Sequence, residues 1–146
     1  AAAPDHDGEL RRRLELWCDR GLGSCLLARP DIARLVIDNW RHFDGVRYRL
    51  ESFVVMPNHV HVLITVIGDV SLSTIVGSWK SWTAKRIIAL AGTPPPVWQA
   101  DYWDRFIRDQ EHRGRVVDYI RSNPVRAGLC TAPEAWRWGS AWGGEG

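Results

Sequence analysis

The chain has 146 residues, a formal net charge of +2 and an apolar fraction of 45%. That is enough apolar material for one packed domain, and it excludes wholesale disorder. The longest uncharged apolar run, residues 53–67, is broken by Pro57, Asn58 and two histidines, so no transmembrane span is expected. The N-terminus has no charged segment followed by an apolar one, so no signal peptide is expected either. Cys18, Cys25 and Cys130 make an odd set without a CxxC pair, which points to a reducing, cytoplasmic setting. Of 19 basic residues only Lys80 and Lys85 are lysines. Arginine forks suit phosphate oxygens, although a GC-rich genome produces the same excess.

In chain order, residues 1–13 are polar and expected to be flexible. Glu9–Arg20 mixes Leu10, Leu14, Leu16 and Trp17 with charges and reads as a poor helix, ended by Gly21-Leu22-Gly23-Ser24. Pro30-Asp31 opens a clear helix with Ile32, Leu35, Val36 and Trp40 at helical spacing, ending near Asp44-Gly45. Val46–Phe53 alternates as a strand. Met56-Pro57-Asn58 interrupts it with a bulge or short turn, and His59–Val66 forms the next strand of a hairpin-like unit. A second helix is expected over Leu72–Leu90, and Pro94-Pro95-Pro96 forbids its continuation. Val97–Asp109 is expected to hold a short strand. A third helix runs from Glu111 to about Ser122, where Pro124 ends or kinks it. The Trp-rich tail, residues 129–142, is expected to cover the sheet.

Two constellations carry chemistry. His59 and His61 alternate on a strand and so project to one face, half of a metal site. A chance His-x-His on a solvated strand face gives the same pattern. Tyr119 and Asn123 are four apart and share one face of the third helix. They read either as a core-edge aromatic and a helix-terminal residue, or as a nucleophile and a metal-ligating carboxamide. A phenol is a poor nucleophile at neutral pH, so phosphodiester cleavage by Tyr119 needs help at the phosphate. A divalent ion held by His59, His61 and a side-chain oxygen would act there as a Lewis acid. A mixed nitrogen and oxygen set suits Mg²⁺ or Mn²⁺. Arg105, Arg108, Arg115, Arg121 and Arg126, interleaved with Tyr102, Trp103 and Phe106, are candidates to hold DNA phosphates and stack on unpaired bases. The acids among them also allow a salt-bridged surface. Lys80 and Lys85 on the second helix complete the candidate DNA-binding set. His6 and His112 read as surface residues, and His42 as helix C-terminal.

Val55-Met56-Pro57-Asn58-His59-Val60-His61-Val62-Leu63 resembles the His-hydrophobic-His (HUH) segment of REP-associated tyrosine transposases, within the HUH single-tyrosine superfamily. Val97-Trp98-Gln99, Asp104–Asp109 and Tyr119-Ile120-Arg121-Ser122-Asn123-Pro124-Val125-Arg126-Ala127-Gly128-Leu129 resemble the family's C-terminal signature in the same order. The resemblance spans residues 40–140. It implies a single α+β domain, a ferredoxin-like antiparallel sheet carrying the histidines with helices packed on one face. It implies metal-dependent cleavage and strand transfer of single-stranded DNA, at hairpins from palindromic repeats, through a 5′-phosphotyrosine on Tyr119. His59, His61 and Asn123 would hold the Mg²⁺ or Mn²⁺. The expected partner is single-stranded or hairpin DNA, with no membrane, the protein acting as monomer or homodimer in the cytoplasm at the nucleoid. Relatives begin with a strand beside the histidine strand. Residues 1–30 offer only Leu22–Leu27 as a short candidate, so that strand is expected to be missing, replaced or supplied by a partner chain. Two alternatives remain: a non-catalytic binder of single-stranded or hairpin DNA, and a water-using phosphoesterase for small substrates.

Overall fold

The computed structural model describes residues 13–19, 25–100 and 102–144. Four strands form one antiparallel sheet: β1 (Arg13–Asp19), β2 (Tyr48–Val55), β3 (His59–Val66) and β4 (Trp103–Phe106), in the order β2-β3-β1-β4. Three helices accompany it: α1 (Pro30–His42), α2 (Leu72–Ala91) and α3 (Gln110–Arg126). No helix among the described residues is long and apolar enough to cross a membrane.

The α+β class and the antiparallel sheet match the expectation, but the helices do not share one face. Alternation along β3 sends Val60, Val62, Ile64 and Val66 into a core with α1 and α2. Leu63 faces the other way, with Val54, Met56, Ile107, Val116 and Ile120 beneath α3. In the first core Trp40 packs against Phe53 at 5.5 Å and Trp79 at 6.0 Å, and Trp79 meets Trp98 at 5.4 Å. Such tilted and edge-on pairings suit aromatic quadrupoles.

The largest departure is β1. Residues 13–19 form a strand between β3 and β4, where a poor helix and a missing strand were expected. Leu14 and Leu16 point into the first core, and Glu15 between them is buried on the α3 face. The central place in the sheet is therefore filled by this chain itself. Of the alternative segment, Leu26 and Leu27 lie in a short 3₁₀ turn, and 22–24 lie outside the described residues. Of the stretch 1–13 expected to be flexible, residues 1–12, including His6, also lie outside them, whereas Arg13 is the first residue of β1.

The hairpin joining β2 and β3 turns at Pro57-Asn58, closed by Met56 N–H donating to the His59 carbonyl at 2.8 Å. β2 carries a bulge between Leu50 and Ser52. The extra residue, Glu51, accepts from Thr65 at 2.6 Å and from Arg113 of α3 at 3.2 Å. The tail adds to the outer edge of β2. Val55 N–H donates to the Trp138 carbonyl, Ser140 N–H to the Phe53 carbonyl, and Trp136 Nε1–H to the Val55 carbonyl. These bonds occupy strand-edge groups that otherwise invite a second chain.

Candidate functional site

α3 lays a seam with four-residue spacing, His112, Val116, Ile120 and Pro124, against the sheet. Its start is fixed by Asp109, whose carboxylate accepts from His112 N–H at 2.7 Å. The His112 ring reaches back, Nδ1 accepting from Arg108 N–H at 3.0 Å. This resembles a capping box with imidazole in place of a carboxylate. His112 is thus 2% exposed and not a surface residue as its charged neighbours suggest. Burial, then the charges of Arg105 and Arg108, push its pKa below the ordinary histidine value.

The helix continues through Pro124 to Arg126, past the expected end at Ser122. Gly128 at φ 75° closes it, donating to the Val125 carbonyl while Leu129 N–H donates to that of Pro124. That is a Schellman motif. Tyr119 and Asn123 therefore both stand within a complete helix, one turn apart.

The sheet presents His61 to this helix. The rings of His61 and Tyr119 meet edge-on with centroids 5.6 Å apart. His61 is 3% exposed and Tyr119 is 37% exposed. Glu15 sits directly across from Arg105 in the β1–β4 register and diagonally from His61 on β3. Its carboxylate lies 2.9 Å from His61 Nε2 through Oε2, and Oε1 accepts from Arg105 Nε at 2.6 Å. Burial raises the Glu15 pKa, but the bonds and charges of His61 and Arg105 outweigh it and hold the carboxyl below its usual value. His59 precedes on the same face of β3, its Nδ1 2.9 Å from Asn58 Oδ1. Asn123 is half-buried one turn beyond Tyr119.

Between β4 and α3 lies an open cavity of about 300 Å³, whose walls include Arg105, Arg108, Arg115, Trp103, His112 and the Tyr119 ring. Arg126 stacks over the outer side of Tyr119, 4.6 Å from the ring centroid. Four of the candidate DNA-binding residues are thus gathered around Tyr119. Arg121 instead pairs with Glu134 at 3.0 Å on the surface. Lys80 donates to the Gln99 carbonyl, and both Lys80 and Lys85 ride on α2, across the sheet from Tyr119. The structure does not bring these two lysines into the cluster.

A family model for IS200-like transposases matches residues 40–123, more than half of the chain. The chain belongs to the IS200-like transposase family. It is 29% identical to the REP-associated tyrosine transposase of Escherichia coli, the match covering 61% of this chain and 52% of that one. It is 27% identical to an uncharacterized protein of Haemophilus influenzae, covering 53% and 54%. The chain spans about half the length of these curated relatives. In structure it resembles a REP-associated tyrosine transposase solved bound to a REP hairpin, with a TM-score of 0.69 and 24% identity over 89% of this chain and 76% of the other.

Within this family frame, sequence reasoning missed two residues of the site, Glu15 and His112. Glu15 had a signal: it lies between two leucines in strict alternation, Leu14-Glu15-Leu16. His112 had one too. It stands three residues after Asp109, where a helix-start residue reaches back to its cap.

Proposed function

We propose that this chain cleaves and rejoins single-stranded DNA, at hairpins or palindromic repeats, with Tyr119 as nucleophile. The observation that supports the reading most is the contact between Tyr119 and His61, made where a buried carboxylate–histidine pair of the sheet meets the tyrosine helix. A structural tyrosine has no need of a buried acid, an imidazole and a ring of arginines around it.

In this reading the Tyr119 oxygen attacks the scissile phosphorus. A 5′-phosphotyrosine bond forms as the phenol gives up its proton, and the bond to the 3′ oxygen breaks as that oxygen takes up a proton and leaves as a hydroxyl. Attack by a 3′-hydroxyl reverses the step and joins strands. Arg126, against the Tyr119 ring, and Arg108 and Arg115, in the cavity wall, neutralise phosphate charge and orient the strand. Glu15 holds the His61 ring in one orientation, the arrangement in which metal-ligating histidines are commonly braced by a carboxylate.

In this reading the imidazoles of His59 and His61, alternating on β3, would hold a divalent ion. Among the described residues no three His, Cys, Asp or Glu side chains converge as a metal site. In this reading the carboxamide oxygen of Asn123 would join His59 and His61, a mixed nitrogen and oxygen set that suits Mg²⁺ or Mn²⁺. Bound there, the ion supplies Lewis-acid polarisation of the scissile phosphate.

The test is a labelled hairpin oligonucleotide with a single-stranded flank, incubated with the protein and Mn²⁺ and run on a denaturing gel. A covalent protein–DNA band is expected from the wild type and none from Tyr119→Phe. Hairpin binding without any covalent band would favour a non-catalytic binder. An adduct that survives Tyr119→Phe would refute the assignment of the nucleophile.

A further inference from the structure

We infer that His112 is a DNA-binding residue. Its Nε2–H donates to an acceptor on an unpaired nucleotide of the DNA strand, seated in the cavity between β4 and α3 beside Tyr119. The inference rests on the single-stranded DNA reading above and adds a subsite to it.

Three observations converge. First, the hydrogen bond from Arg108 N–H occupies Nδ1, so the neutral ring carries its proton on Nε2. Second, that buried Nε2 finds no hydrogen-bond partner among the described residues. A buried donor left unmet costs stability, and the few that persist in folded proteins call for an explanation such as a ligand or a water. Third, His112 lines a cavity of about 300 Å³ walled by the chemistry of a nucleotide site. Arg108 and Arg115 suit a phosphate. Trp103, 47% exposed on β4, offers a ring face to a base. The volume matches the lower end of small-molecule sites.

The surroundings decide how His112 would act. The charges of Arg105, Arg108 and Arg115 act on the ring and outweigh that of Glu15, while the Asp109 carboxylate is engaged by the His112 backbone N–H. Together with burial they disfavour the imidazolium. His112 is then a fixed neutral donor rather than another cation. Its Nδ1 bond holds the ring still, so the donor is oriented before DNA arrives. The simpler role, a helix-start brace, uses Nδ1 alone and leaves Nε2 unexplained.

The experiment separates the two roles by nitrogen. His112→Asn keeps an acceptor near the Nδ1 position for Arg108 N–H and removes the Nε2 donor. Binding of a labelled hairpin oligonucleotide with a single-stranded flank is followed by fluorescence anisotropy in EDTA, where no covalent product forms. Affinity is expected to fall roughly tenfold with the melting temperature kept, as for loss of one buried hydrogen bond. The salt dependence should be unchanged for His112→Asn, because a neutral donor displaces no counterion. For Arg108→Gln the slope should fall by about one. In the wild-type protein, which needs no substitution, the His112 Nε2–H proton resonance should move downfield when the oligonucleotide is added.

An unmoved resonance, or a folded His112→Asn that binds within about twofold of the wild type, overturns the inference. Those results leave the strand-cleavage reading standing. A wild-type protein that binds no single-stranded DNA at all would instead remove the reading on which the inference rests.

Discussion

Glu15 is a carboxylate with almost no solvent contact, bonded to His61 on one side and to Arg105 on the other. Removing it leaves His61 Nε2 without that acceptor in a buried place and releases Arg105. Glu15→Ala is therefore expected to lose about 1–3 kcal/mol in urea denaturation at neutral pH. The sign of the pH dependence follows from the carboxyl's lowered pKa. A group held below its unfolded value of 4.5 stabilises the fold above that pH, and the contribution fades as pH falls through the lower folded value. The gap between wild type and Glu15→Ala should thus narrow in acid; a gap that widens would contradict it. His59, His61 and Tyr119 were legible in the sequence because strand and helix periods place them on faces. Glu15 and His112 were harder to read: strand alternation marks the one and helix-start spacing the other, but a polar residue among charged ones reads as solvated. Only the fold shows that a second cation or a helix cap takes the place of water.

At the level of elements, β1 and α3 show what local sequence can and cannot carry. Charges at Arg11, Arg12, Arg13, Asp19 and Arg20 mask the alternation of Leu14 and Leu16. Pairing with β3 and β4 on both edges decides the strand, a long-range effect that propensity does not contain. In α3 the penalty on Pro124 argues for an earlier end. The helix continues because Pro124 belongs to the buried seam and the Schellman closure at Gly128 satisfies the last carbonyls. A Cβ at Gly128 would meet nothing within 4 Å, so only its positive φ resists substitution. Gly128→Ala should cost about 1–2 kcal/mol, read as a lower melting temperature. An unchanged melting temperature would count against the motif as the helix stop. α1, β3 and α2, by contrast, were read nearly to the residue, since proline, glycine and serine signals bound them, while β2 lies two residues later than its alternation suggests.

Across the whole molecule the sheet divides labour between its faces. The face under α1 and α2 is apolar and aromatic and holds the main core. The α3 face carries Glu15, Ser52, His61 and Thr65, buried polar residues among few apolar ones. A stiff sheet anchored on one side presents its polar groups on the other with little freedom, which is what positioning a phosphate requires. On this basis we propose that Tyr119 on α3 and His61 on β3 serve one phosphate. The most direct measurement is to digest the covalent product of the protein with hairpin DNA and Mn²⁺ and to map the modified peptide by mass spectrometry. The expected product is a nucleotide joined through a 5′-phosphate to Tyr119, lost in His61→Ala. A nucleotide on any other residue, or an undiminished Tyr119 adduct in His61→Ala, would contradict it.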